Sequence, residues 1–159
     1  MAFLYDTLLQ EFGKREIART DVPNYIVDNL KYGIRPYQKE SFQRYILCHN
    51  EDFDGKPNKP FHLLYNMATG SGKTLVMAGL MLYLYEKGFR NFLFFVNSNN
   101  IINKTKDNFL NPQASKYLFS KKIVVEGKEV LIKEVANFEE SDEQNININF
   151  TTIQQLHID

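Results

Sequence analysis

Lys73 and Thr74 close the stretch Met67-Ala68-Thr69-Gly70-Ser71-Gly72-Lys73-Thr74, whose residue types and spacing suit the chemistry of holding an anion. A glycine turn between an extended segment and a helix aims successive backbone N–H groups into one concavity, and the helix adds the positive end of its dipole. Polyphosphate fits such a cradle. The spacing predicts that Thr69, Gly70, Ser71 and Gly72 surround the phosphates and that Lys73 reaches the β- and γ-phosphates as a point charge. The Thr74 hydroxyl would take one coordination position on Mg²⁺. By composition alone, Gly-x-Gly-Lys-Thr arises in a chain of this length with odds of order 10⁻³.

The elements that must position these residues are legible on both sides. Phe61 to Asn66 is a short apolar run that predicts a strand. Lys73 to Lys87 reads as a helix apolar nearly all round and stopped by Gly88, so it belongs inside the domain. Phe92 to Val96 is a continuous apolar run, as expected for the buried middle of a parallel sheet. Strand, turn, helix and strand make a βαβ unit of right-handed connection. Asn97-Ser98-Asn99-Asn100 follows at the strand's carboxyl end, where ligands bind in open α/β sheets. Ser98 or Asn99 can cap a helix from about Asn100 to Leu110. Its free N–H groups, with Ser98, Lys104 and Lys106, suit a nucleic-acid phosphate, against the plainer reading of a capped helix with solvated lysines.

Upstream, Phe3, Leu4, Leu8 and Phe12 recur at helical steps up to Gly13, and Asp21 to Pro23 opens a second helix running to about Lys31 with Gly33 as its stop. Residues 1–33 read as a helical preface and 34–159 as the core. Ile34-Arg35-Pro36-Tyr37-Gln38 starts a third helix, with Gln38 in its exposed first turns. The side-chain amide of Gln38 offers a donor and an acceptor at the separation of adenine N6 and N7. Residues 50–60 read as a loop that half-matches a calcium-binding pattern. Phe61 stands where the closing bidentate Glu should, so calcium is rejected. Downstream, Ile123 to Val125 and Val130 to Ile132 flank Glu126-Gly127-Lys128 as a hairpin. Lys116, Lys121 and Lys122 read as a solvated basic face, and Asn137 to Asn147 as a mobile loop. Ile146 to Phe150 alternates like a strand closed by Thr151 and Thr152, ahead of a short helix-like Ile153 to Leu156.

Composition bounds the rest. With 159 residues and 43% apolar content the chain can build one core. Lys plus Arg and Asp plus Glu are 19 each, so the chain as a whole has no attraction for polyanions and any nucleic-acid contact is local. The single cysteine, Cys48, excludes an internal disulfide and a cysteine-cluster zinc site, and suits a reducing compartment. The start does not resemble a secretion signal, and the longest apolar run, Leu75 to Tyr85, is too short to cross a membrane. The expectation is a cytoplasmic protein with no membrane contact.

Arg-Pro-Tyr-Gln, Met-Ala-Thr-Gly-Ser-Gly-Lys-Thr, Phe-Phe-Val-Asn-Ser and Phe-Thr-Thr-Ile-Gln-Gln-Leu follow one another in this chain. Together, from about Ile34 to His157, they resemble the first motor domain of superfamily 2 helicases. More narrowly they resemble the restriction (Res) subunit of type III restriction-modification enzymes and related DEAD/DEAH-type proteins. The resemblance implies a RecA-like P-loop fold, an incomplete three-layer α/β/α with a mainly parallel sheet behind the helical segment, using ATP and Mg²⁺. It implies that Gln38 reads adenine while Arg35 and Tyr37 shape the base pocket, and that Gly70 to Thr74 form motif I. Asn97-Ser98 stand at motif Ia, where many relatives have Pro-Thr, and Thr151 and Thr152 fall where such motors grip a strand's phosphate. The implied partners are double-stranded DNA and a methyltransferase (modification) subunit.

One position departs from the general phosphate-loop pattern: Met67 stands where a glycine five residues before Gly72 is usual. This counts against a kinase or small GTPase and not against a helicase-type motor. Hydrolysis also requires an Asp for Mg²⁺, a Glu for the attacking water and an arginine from a second motor domain. Asp142-Glu143 lacks a preceding apolar strand and lies ahead of the threonine motif, whereas the family's acidic box would follow Asp159. Two functions of different class stay open. One is an amino-terminal fragment of an ATP-driven motor, binding nucleotide with little turnover; the other is a self-contained, non-catalytic nucleotide- or nucleic-acid-binding module.

Overall fold

A computed structural model describes residues 3–153. Helix α1 (Leu4–Arg19) does not stop at Gly13: that residue takes φ 71°, ψ 161°, the chain kinks, and the helix resumes. It resumes because Ile17 beyond the kink has the same apolar partner as Leu8 before it, with Leu47 completing a small cluster. The second helix is one turn, α2 (Asn24–Val27), and does not reach Lys31. Long-range partners take the chain away from helical geometry there. The Asn29 amide donates to Tyr25 O and Val124 O (2.6 and 2.7 Å) and accepts from Val124 N–H (2.8 Å), while Lys31 N–H donates to Leu118 O (2.8 Å).

Helices α3 (Pro36–Asn50) and α4 (Lys73–Glu86) make the centre of the core. Phe42, Leu82, Tyr83 and Ile26 are each no more than 2% exposed. Gly79 sits at the closest approach: a Cβ there would lie 2.4 Å from Phe42 Cζ and 3.1 Å from Ile26 Cγ2. Cys48 is buried, and desolvation pushes its thiol up, so it acts as a small apolar group.

The rest of the chain runs β1 (Asn91–Val96), α5 (Asn99–Leu110), β2 (Ile123–Val125), β3 (Lys128–Val130), β4 (Ile132–Glu134), a 3-10 turn (Phe138–Glu140) and β5 (Ile146–Thr152). Strands β1, β5 and β4, in that order, form a parallel sheet in which Asn91 faces Asn147 and Val96 faces Thr152. With its helices this is an α/β fold, a partial RecA-like P-loop domain. No helix among the described residues is long and apolar enough to cross a membrane.

Several sheet expectations are corrected. β1 lies at the edge, not the middle, and leaves Leu93 and Phe95 about half exposed. Residues 61–66 are extended with alternating burial, yet they join no ladder among the described residues. The alternation is a local property; a strand also needs a ladder partner, and these residues have none among the described residues. The expected βαβ unit around the glycine turn is therefore not formed with this segment. The hairpin forms between β2 and β3 across Glu126 (φ 51°) and Gly127 (φ 75°), a primed turn whose twist suits two strands. Ile132, expected in that hairpin, pairs instead with Ile146 in the main sheet.

The polar stretch before β5 is ordered by its own side chains rather than loose. Asn147 is fully buried; its Oδ1 accepts from Asp142 N–H (3.0 Å) and its Nδ2 donates to Asp142 O (2.9 Å). The Asp142 carboxylate in turn accepts from Lys133 Nζ (2.8 Å), Gln144 N–H (2.8 Å) and Asn145 Nδ2 (2.7 Å). The residues 154–156 expected as a short helix lie outside the described residues.

Two measurements check this packing. Gly79→Ala gains about 1 kcal/mol of helix propensity but overpacks the α3–α4 contact at a cost of about 1–3 kcal/mol. Urea unfolding should show a net loss; a higher midpoint would mean the two helices can separate freely. The Lys133 hydrogen bond and those of Gln144 and Asn145 hold the Asp142 carboxyl at about 2, below the ordinary 3.8. Its contribution is thus fully present above pH 3.8 and lost as pH falls toward 2. Asp142→Asn should lower Tm at neutral pH, with the gap to wild type closing across that acid window, and a gap independent of pH would contradict the assignment.

Candidate functional site

Gly70 and Gly72 take φ 78° and 82°, the left-handed region that a non-glycine residue enters at a cost, and between them the chain reverses into α4. Ser71 N–H is used within the turn, donating to Ala68 O (3.2 Å). Gly72 O accepts from Leu75 and Val76 N–H, which starts the helix. The N–H groups of Gly72, Lys73 and Thr74 have no backbone acceptor among the described residues. They are the unpaired donors every helix start leaves over, here gathered at one turn.

The turn is held from outside by the first turn of α3. Tyr37 OH donates to Ser71 O (2.9 Å) and accepts from Arg35 Nη1 (3.1 Å). Gln38 Nε2 donates to the same Ser71 O (2.8 Å), and Gln38 Oε1 accepts from Arg35 N–H (2.9 Å), one half of a capping box. Gln38 is therefore not in an exposed turn: it is 3% exposed and wedged between the start of α3 and the glycine turn. A Cβ at Gly72 would lie 2.4 Å from Gln38 Nε2, so Gly72 is required by contact as well as by φ. Lys73 Nζ donates to Met67 O (2.8 Å) and Ala68 O (3.0 Å), which places the ammonium across the turn.

The site fits a polyphosphate on these observations. Three backbone donors and a lysine converge, and Ser71 Oγ is buried with no hydrogen-bond partner among the described residues, an unmet capacity in the same wall. A cavity of about 660 Å³ runs from Arg35 and Gln38 past Thr69, Lys73 and Thr74 to Lys116. A second, of about 630 Å³, opens where Ala68 to Ser71 meet Tyr5, Glu40 and Arg44. Among the described residues no group of three or more His, Cys, Asp or Glu could hold a metal, and the Thr74 hydroxyl expected from the sequence to meet Mg²⁺ lines the larger cavity.

The structure gathers the sequence-predicted residues into two groups. Arg35, Tyr37 and Gln38 meet Thr69 to Thr74. Asn97 and Ser98 directly follow β1 and Thr151 and Thr152 end β5, so the two pairs lie at the same carboxyl edge of the sheet, where Phe95 pairs with Thr151 and Val96 with Thr152. Within that second group, Thr152 is 6% exposed, so Thr151 offers the larger surface. Ser98 O accepts the Ile101 and Ile102 N–H groups (3.1 and 3.2 Å), while its side chain makes no cap bond. Lys106, for which the sequence left a phosphate contact and a solvated lysine both open, is ion-paired with Glu134. Tyr32 and Asn108, which nothing in the sequence singled out, line the larger cavity, as does Lys116, whose sequence reading was a solvated basic face. Nothing local marks them, because the contacts that bring residues 115–118 against residues 31 and 32 span more than eighty positions.

Residues 31–159 match the family described as type III restriction enzyme, res subunit. A probable type III restriction-modification enzyme HindVIP Res subunit of Haemophilus influenzae is 42% identical over 151 residues. That alignment covers 91% of this chain and 29% of the relative, so the chain spans less than a third of the relative's length. No solved structure matches the chain. A glycine turn with converging amides, strapped by the Arg-Pro-Tyr-Gln helix start and matched over most of the chain, places this protein in the type III restriction enzyme Res subunit family.

Proposed function

We propose that the chain is the ATP-binding part of the first motor domain of a DNA-dependent ATPase, a helicase or translocase of the type III restriction kind. The observation that carries this reading is the convergence of the Gly72, Lys73 and Thr74 amides with the Lys73 ammonium in a turn locked by Tyr37 and Gln38. The amides and Lys73 would bind and orient the triphosphate, and the Thr74 hydroxyl would supply one ligand to Mg²⁺. Bound Mg²⁺ neutralises phosphate charge. Arg35 and Tyr37 border the base. Gln38 has spent one donor and one acceptor on the protein, so its first role is to brace the turn; one N–H and one lone pair remain for an adenine edge.

The threonine edge, Asn97 and Ser98 with Thr151 and Thr152, is the proposed DNA-backbone contact, and a modification methyltransferase subunit is the proposed partner that reads sequence. The second reading, a module that binds without turnover, is favoured by one observation. No carboxylate lines the cavity of Lys73 and Thr74 among the described residues, and Asp142 is engaged by Lys133 and Asn145. The chain by itself should therefore bind ATP and hydrolyse it poorly.

Calorimetry tests both parts. Lys73→Ala should weaken ATP binding by roughly 100-fold or more; unchanged affinity would remove the phosphate role. Gln38→Ala should weaken ATP and GTP together, by about tenfold, because the brace is lost. A loss confined to ATP would assign the amide to adenine instead.

A further inference from the structure

We infer that Lys116 is a second cation of the nucleotide cavity, brought to it from a distant part of the chain; this rests on the nucleotide reading above. Lys116 lines the same cavity as Lys73 and Thr74 although it lies far along the chain. Its loop is fixed. Tyr32 OH donates to Ser115 O (2.7 Å), Lys31 N–H to Leu118 O (2.8 Å) and Leu118 N–H to Asn108 O (3.0 Å), while Leu118 and Phe119 are buried.

The charge of Lys116 is also unspent. Lys106, Lys122 and Lys133 are ion-paired with Glu134, Glu129 and Asp142, whereas Lys116 has no hydrogen-bond or ion-pair partner among the described residues. Arg35, Lys73 and Lys116 thus surround a cavity that no described carboxylate lines. Opposite-sign attraction in a concave site grows with ligand charge. Lys116 therefore selects for phosphate number, favouring a nucleoside triphosphate over a monophosphate, and Tyr32 is its positioning residue through Ser115.

The experiment is calorimetry of ATP and AMP with the full chain at low and moderate salt. Lys116→Ala, Lys116→Arg, Tyr32→Phe and Lys73→Ala are compared with wild type, with thermal melts to establish folding. Lys116→Ala should weaken ATP about tenfold and AMP less than about twofold, flatten the salt dependence of ATP binding, and be rescued by Arg. Tyr32→Phe should lose part of the same ATP preference. Equal losses for ATP and AMP, or none, overturn the inference. If Lys73→Ala keeps ATP affinity while Lys116→Ala does not matter either, it is the nucleotide reading that falls and the inference falls with it. If Lys73→Ala loses ATP and Lys116→Ala does not, the reading stands and only Lys116 is wrong.

Discussion

The carbonyl oxygen of Ser71 accepts two hydrogen bonds from one neighbouring helix, from the Tyr37 hydroxyl and the Gln38 amide, and the geometry of the site depends on that double contact. A turn with two glycines at positive φ has high conformational entropy to lose and few side chains with which to hold itself. The constraint must come from outside, and α3 provides it. Four residues after Gln38, on the same face of that helix, Phe42 packs on Gly79 of α4, and α4 is the helix the turn begins. Turn, α4 and α3 therefore form a closed circuit in which core packing and the aim of the amides are one arrangement. A change at Gly79 would be felt at Ser71 through a single rigid helix.

This circuit explains what could be read in the chain and what could not. The turn, the helix after it, the helix begun by Pro36 and the strands at residues 92–96 and 146–150 are set by local pattern, and each appears where its pattern predicts. Gln38 was misplaced because its polarity argued for solvent. Yet Gln38, Phe42 and Ile46 recur at four-residue steps, and the stripe marks position 38 as inward. A polar residue at the head of an apolar stripe is a candidate for a buried partner, and here the partner is a backbone carbonyl.

What was not legible is what depends on distant pairing. Residues 61–66 carry the alternation of a strand, and Leu93 and Phe95 the apolarity of a sheet interior, yet neither finds the neighbour that would complete it within the described chain. The same limit hid Asn29, whose amide joins residue 25 to residue 124, and Asn147, whose burial turns an acidic, polar stretch into an ordered one. Polar residues read one at a time suggest loops. Once three or four of them satisfy one another, as around Asp142, they specify a fixed conformation as an apolar cluster would.

The balanced charge of the chain makes the placement of its cations more telling than their number. Most lysines near carboxylates are paired at the surface, where a pair contributes little stability. Lys73 is different: its ammonium donates to two carbonyls of the segment that enters the turn, leaving one of its three N–H groups for another acceptor. Those carbonyl bonds hold the charge at the mouth of the amide cradle in advance, so little side-chain freedom remains to be lost when an anion binds. In the proposed nucleotide complex, a phosphate oxygen taking the third N–H would form a charge-assisted bond, about twice as strong as a neutral one, beside the amides of Gly72, Lys73 and Thr74. The lysine braces the turn, and under the proposed function it would serve the ligand as well; that dual use would make a point charge on a flexible stem a precise element of the site.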